Sequence, residues 1–245
     1  MAQHPPNSAA TPWELHRDLE YGRAGSRPLL LDLYVPAGAG PWPIVLWFHG
    51  QPGRKHPTPA RLLVRSGYAV ASVEYRSSRE ARFPAQLQDA QAALRWVRSL
   101  AVTYSLDAGR IAVWGESAGG HLAALLATSA GDAGPENPGT GTTFPAIRAG
   151  VIYFAPGRRG AADPLRHISP AAAPLLIVHG SADRTVSPGR SERLHAALQA
   201  AGVESILEIV RGARHDFQQV HTPRVDSLVH LFLARHLRVD SAGSR

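Results

Sequence analysis

Cysteine is absent from all 245 residues, which rules out disulfides, thiolate-bound zinc and a cysteine nucleophile together. Any covalent catalysis therefore falls to Ser, Thr, Lys or a carboxylate. Lysine is nearly absent as well: Lys55 is the only one among 26 basic residues. The formal charge is +7, but the arginines lie scattered along the chain with no dense Lys/Arg run, so no nucleic-acid partner is expected. Long apolar runs are also missing. Stretches such as Ile44 to Phe48 and Leu175 to Val178 are strand-length, far below the roughly 20 residues needed to span a bilayer. Residues 1–12 contain neither a basic n-region nor an apolar h-region and read as a flexible tail. That predicts a cytoplasmic protein, or one whose leader has been removed. No histidine pair combines with carboxylates at a metal-binding spacing, and neither a metal nor a cofactor is expected.

What is present fits one globular domain, with 44% hydrophobic and 18% charged residues. The expected extent is residues 13–238, with a second tail at 239–245. Leu29 to Val35, Ile44 to Phe48, Tyr68 to Tyr75, Ile111 to Trp114, Ala149 to Phe154, Leu175 to His179 and Glu204 to Val210 read as strands. Between them, Pro84 to Tyr104 repeats apolar residues at helical spacing (Leu87, Ala90, Leu94, Val97, Leu100). Further helices are expected at His121 to Ser129, at Pro188 to Ala201 with Gly202 closing it, and at Pro223 to Leu237. Strands alternating with helices imply an α/β fold with a mostly parallel sheet of about eight strands, helices on both faces, and ligands at the C-terminal strand edge. Gly131 to Thr143 is expected to be a plain connection on the opposite edge.

The chemistry concentrates at Gly115-Glu116-Ser117-Ala118-Gly119-Gly120. A G-x-S-x-G pattern alone is weak in a chain with 23 glycines, but here it joins an apolar strand to a helix. In that setting a sharp elbow lifts a serine hydroxyl above the sheet. The helix N-terminus also aims N–H groups at developing negative charge, with Ala118 the first oxyanion donor. The plain alternative is a helix-capping serine. A serine nucleophile needs a base and an orienting acid, which in this arrangement follow in the order acid, then histidine. Asp183, beyond the strand Leu175 to His179, and His215, beyond Glu204 to Val210, fill those places. Asp216 is the rival acid, but as the immediate neighbour of His215 it should point away. Asp183 as a turn aspartate and His215 as a loop histidine are the plain alternatives; His49 and His121 read as structural. Trp47, Glu116, Tyr153 and Phe154 are candidates to line the substrate site; the aromatic ones, which with Trp114 lie near strand ends, either contact substrate or merely fill core.

With these residues in view, the chain resembles the α/β-hydrolase superfamily, in particular bacterial feruloyl-esterase-like esterases related to hormone-sensitive-lipase-type enzymes. The resemblance runs from about Leu31 to His236. It is carried by Leu31-Asp32-Leu33-Tyr34-Val35-Pro36, Phe48-His49-Gly50, Val73-Glu74-Tyr75-Arg76, Phe83-Pro84-Ala85-Gln86, the serine motif, Ile177-Val178-His179-Gly180 and Gly212-Ala213-Arg214-His215. It implies a Ser117-His215-Asp183 triad hydrolysing small, aryl or polymeric carboxylic esters through an acyl-enzyme. The chain departs from the family twice. His49-Gly50-Gln51-Pro52 replaces the usual His-Gly-Gly-Gly, and because proline has no N–H, the oxyanion hole is expected to rest on the backbone of Gln51 and Ala118. Only Ala155 to Pro174 is available as a lid, so the cleft should be open. Arg54, Lys55, His56, Arg76, Arg79, Arg158, Arg159, Arg166 and Arg184 fall in loops on the catalytic edge. They either steer anionic substrates or simply solvate the loops. Formamide hydrolysis by the same triad is the alternative activity, and a non-catalytic ligand-binding hydrolase fold the alternative from another class. A dienelactone hydrolase is excluded because those enzymes use a cysteine nucleophile. An oligopeptidase is disfavoured because no propeller precedes the catalytic residues.

Overall fold

The computed structural model describes residues 13–55, 60–129, 147–155, 157 and 160–237. The expected tails, the Gly131 to Thr143 connection, and His56, Arg158 and Arg159 lie outside the described residues.

Eight strands form one sheet: β1 (Trp13–Ala24), β2 (Arg27–Pro36), β3 (Trp42–Phe48), β4 (Ala69–Val73), β5 (Leu106–Glu116), β6 (Ala149–Tyr153), β7 (Leu175–Gly180) and β8 (Ser205–Val210). Their order is β1-β2-β4-β3-β5-β6-β7-β8. Every pairing from β4 to β8 is parallel, whereas β2 runs antiparallel to both its neighbours. Alternate side chains of a strand face opposite ways, and β3 shows the consequence. Ile44, Leu46 and Phe48 join the core beneath α2 (Ala85–Ser99), α3 (Ala118–Thr128) and α4 (Gly189–Ala200). Val45 and Trp47 join the core beneath α1 (Ala60–Arg65), α5 (Phe217–Val220) and α6 (Pro223–Leu237). Both faces of the central strands are buried, which is why they read as continuous apolar runs.

The strand-helix succession expected from the sequence is present, with three additions. β1 occupies a stretch whose sequence is a polar opening, and α1 and α5 are short helices that the apolar periodicity does not reveal. The helix expected to run to Tyr104 ends at Ser99, and the serine-motif helix begins earlier, at Ala118. The described part of the β6–β7 connection holds two single 3-10 turns, Gly160–Ala162 and Pro164–Arg166, in keeping with a short lid. No helix among the described residues is long and apolar enough to cross a membrane.

Candidate active site

His49 follows β3, Ser117 follows β5, Phe154 follows β6, Asp183 follows β7 and His215 lies beyond β8. The parallel sheet thus delivers all five to its C-terminal edge. Ser117 occupies a left-handed backbone conformation, φ 49° and ψ −117°, strained for a residue with a Cβ. Neighbouring backbone holds it there: its N–H donates to the Tyr153 carbonyl at 3.0 Å, and its carbonyl accepts from His121 N–H at 2.9 Å. The bend brings α3 so close to β3 and β5 that glycine is required beside it. A Cβ on Gly119 would sit 1.8 Å from the Phe48 carbonyl oxygen, and one on Gly115 2.2 Å from that of Gly119. Ser117 makes no side-chain capping bond to α3.

Instead, Ser117 Oγ lies 2.9 Å from His215 Nε2, and His215 Nδ1 lies 2.7 Å from Asp183 Oδ2. The other carboxylate oxygen, Oδ1, accepts the backbone N–H groups of Thr185 (2.8 Å) and Val186 (2.9 Å). Asp183 is therefore both a turn aspartate and the histidine's partner, one oxygen for each. Burial alone pushes its carboxyl up, but the Val186 N–H, the His215 imidazole and the Thr185 N–H outweigh it, and the net direction is down from 3.8. Asp216 faces away and caps α5, accepting from Gln218 N–H at 2.8 Å.

The loop after β3 is braced internally. His49 Nδ1 accepts the Gln51 N–H at 3.0 Å, and its Nε2–H donates to the Arg54 carbonyl. The Tyr75 hydroxyl donates to the His49 carbonyl at 2.8 Å, and Gly50 N–H donates to Glu116 Oε1 at 3.2 Å. The Gln51 N–H, expected as an oxyanion donor, thus points into the His49 ring. Ala118 is the first residue of α3, where an N–H has no intrahelical acceptor.

The four candidate lining residues separate. Trp47 and Tyr153 are 1% and 0% exposed, stacked edgewise or face-on with Trp114 and Phe217 inside the core. Of the two readings open for them, both take the core-filling one: each points to the α5–α6 face of the sheet rather than off its edge. Phe154 is covered as well, but its ring backs His215 at 4.6 Å between centroids. Glu116 is partly exposed and ties the β3 loop to the serine elbow. Among the basic loop residues, Arg76 is bound to the buried Asp89 at 2.6 Å, and Lys55 to Asp32 at 2.5 Å and to Asp18. Arg54, Arg79, Arg166 and Arg184 are exposed.

The fold is shared with solved structures across nearly the whole chain. A thermophilic esterase, Est2, from Thermogutta terrifontis superposes with a TM-score of 0.79 at 23% identity, covering 99% of this chain and 98% of that one. A truncated carbohydrate esterase from gut microbiota gives 0.80 at 23%, covering 96% and 99%. The fold is that of the α/β-hydrolases. Two family profiles match the chain in succession, BD-FAE over residues 31–145 and the prolyl oligopeptidase family over residues 155–239. Among proteins similar in sequence are esterase LipQ of Mycobacterium tuberculosis, 28% identical over 84% of this chain, and esterase LipC of the same organism, 26% identical over 84%. The chain spans 58% and 57% of their respective lengths.

Proposed function

We propose that this α/β-hydrolase is a carboxylic-ester hydrolase in which Ser117 is the nucleophile, His215 the general base and Asp183 the acid that orients it. The observation that carries the reading is the continuous chain of contacts Ser117 Oγ to His215 Nε2 to Asp183 Oδ2, at 2.9 and 2.7 Å, with the serine at a strained elbow. The esterase names of the mycobacterial relatives support the choice of reaction. So does Thermogutta terrifontis esterase 2, solved in a form phosphorylated by paraoxon, which is 25% identical over 96% of this chain with a TM-score of 0.75.

In this reading His215 Nε2 removes the Ser117 proton as Oγ bonds to the ester carbonyl carbon, and Asp183 stabilises the imidazolium. The oxyanion faces the Ala118 N–H. Pro52 has none to offer, and the Gln51 N–H becomes a second donor only by turning from the His49 ring. The imidazolium then protonates the departing alcohol, and water, deprotonated by the same imidazole, releases the acid from Ser117. The short β6–β7 connection supports an open cleft able to admit small, aryl or polymeric esters.

The test compares wild type with Ser117→Ala on p-nitrophenyl esters of rising acyl length, methyl ferulate and N-formylkynurenine. Ester turnover that falls by about 10⁶-fold in the variant is expected. Preference for the formamide would move the assignment to a formamidase, and undiminished turnover in the variant would overturn the serine mechanism.

A further inference from the structure

Two imidazoles meet the Asp183 carboxylate, and the proposed ester hydrolysis uses only one. His179, at the end of β7, has Nε2 3.0 Å from Asp183 Oδ2 and 3.0 Å from the Val186 carbonyl oxygen; its Nδ1 lies 2.7 Å from the Ser191 hydroxyl of α4. The residue is fully buried. The partners assign the proton. A carbonyl oxygen can only accept, so Nε2 carries the hydrogen, and Nδ1 takes the Ser191 O–H. Burial pushes this imidazole below its ordinary 6.5, against the opposing pull of the Val186 carbonyl and Asp183, which keeps it a neutral donor.

We propose that His179 is a positioning residue for the triad: its Nε2–H, fixed by Val186 and Ser191, holds Asp183 Oδ2 against His215 and takes up part of the carboxylate charge. The inference rests on the reading of Ser117, His215 and Asp183 as the reacting set. Two backbone donors already occupy Oδ1. With His215 and His179 on Oδ2, all of the roughly four acceptor sites of a carboxylate are filled, so Asp183 has no alternative partner to turn towards. The Phe154 ring packs on both imidazoles, with centroids 5.6 Å from His179 and 4.6 Å from His215. The elements around His179 contribute few charges: β7 and its loop bring Asp183, α4 brings the neutral Ser191, the turn after β6 the apolar Phe154, and the loop beyond β8 His215. Asp183 and His215 are the titratable groups that act on it.

The test uses the full chain with two variants, His179→Leu, which fills space without donating, and His179→Gln, whose amide can still donate. Rates are normalised to active serine by fluorophosphonate titration, so that misfolded protein drops out. The leucine variant should lose at least about tenfold in kcat with KM within about twofold of wild type. Its acid limb of kcat/KM should move to higher pH, because an Asp183 short of one donor holds the imidazolium proton of His215 more tightly. The glutamine variant should recover most of both. A leucine variant with wild-type kcat and acid limb per active serine overturns the proposal. Imidazole ¹⁵N NMR of the wild-type chain reads the same donor without substrate. A proton on His179 Nε2, retained on both sides of the free-imidazole titration near ~6.5, supports the proposal, and a proton on Nδ1 overturns it. That result stands independently of whether ester turnover and the Ser117→Ala variant uphold the esterase reading.

Discussion

His215 has a carboxylate beside it in sequence, Asp216, and another 32 residues upstream, Asp183; the one that reaches its ring is the distant one. Asp216 turns to the exposed N-terminus of α5, where a carboxylate satisfies N–H groups that have no intrahelical acceptor. Substituting each should separate the roles. Asp183→Asn should lower kcat by about 10⁴-fold, by losing control of the imidazole tautomer. Asp216→Ala should cost about 1 kcal/mol of stability through the lost cap and leave kcat near wild type. Steady-state kinetics alongside urea unfolding decide it, and a comparable loss of kcat in both variants would transfer the acid's role to Asp216. At this scale the candidate triad was legible because residue type, chain order and placement after strands all pointed the same way. The missing donor at Pro52 was equally legible, since proline lacks the N–H in any conformation. The bond from Gln51 N–H to His49 and the second imidazole on Asp183 were not. Each depends on a ring rotamer, and the His179-Gly180 pair reads in sequence only as the end of a buried strand.

The strands β3, β4, β6 and β7 could be read because almost all of their residues are buried on both faces, which leaves short, nearly continuous apolar runs. β1 could not. It is an edge strand, mostly half-buried or exposed, with irregular register against β2 around Asp18 and Tyr21, so its residues lack clean alternation. Beyond its pairing with β2, it is linked to the loop after β3 by the chain's one lysine. Lys55, at the far end of the loop that starts at His49, is 15% exposed and binds both Asp18 of β1 and Asp32 of β2, while Asp18 N–H donates to Asp32 Oδ1 at 2.9 Å. The Asp18 pair is open to water and contributes little. The Asp32 pair is not, so Lys55→Met should destabilise the fold by about 3 kcal/mol, by leaving a buried carboxylate without its cation. The double variant Lys55→Met with Asp32→Leu should recover most of that loss. Urea unfolding measures the stability, and hydrogen exchange over residues 49–55 shows whether the loop loosens. A single variant as stable and as protected as wild type would mean that Lys55 does not anchor the loop.

Across the whole molecule, several titratable groups in separate places give stability the same dependence on pH. Asp183 lies below its ordinary value despite burial, and so does Asp107, where the Arg110 side chain and the Gly109 N–H outweigh burial. Glu80 is lowered chiefly by the Ser77 backbone and hydroxyl. For a lowered carboxylate the stabilisation is complete above the unfolded-state value, 3.8 for Asp and 4.5 for Glu, and is lost as pH falls through the folded-state value. His179 and His236 are also lowered, both first by burial. For them the folded chain resists a proton that the unfolded chain accepts, so stability falls as pH drops below 6.5. Both sets of groups act in the same direction. The urea midpoint should therefore hold between about pH 8 and about pH 7, fall towards about pH 5 as the histidines take effect, and fall again below about pH 4 with the carboxylates. His179→Gln, which cannot titrate, should shrink the first fall to the part that His236 contributes and leave the second. A midpoint that rises between about pH 7 and about pH 5 would mean that these imidazoles are stabilised as cations. His179 would then meet Ser191 as a donor rather than an acceptor, and the neutral donor inferred beside Asp183 would have to be abandoned.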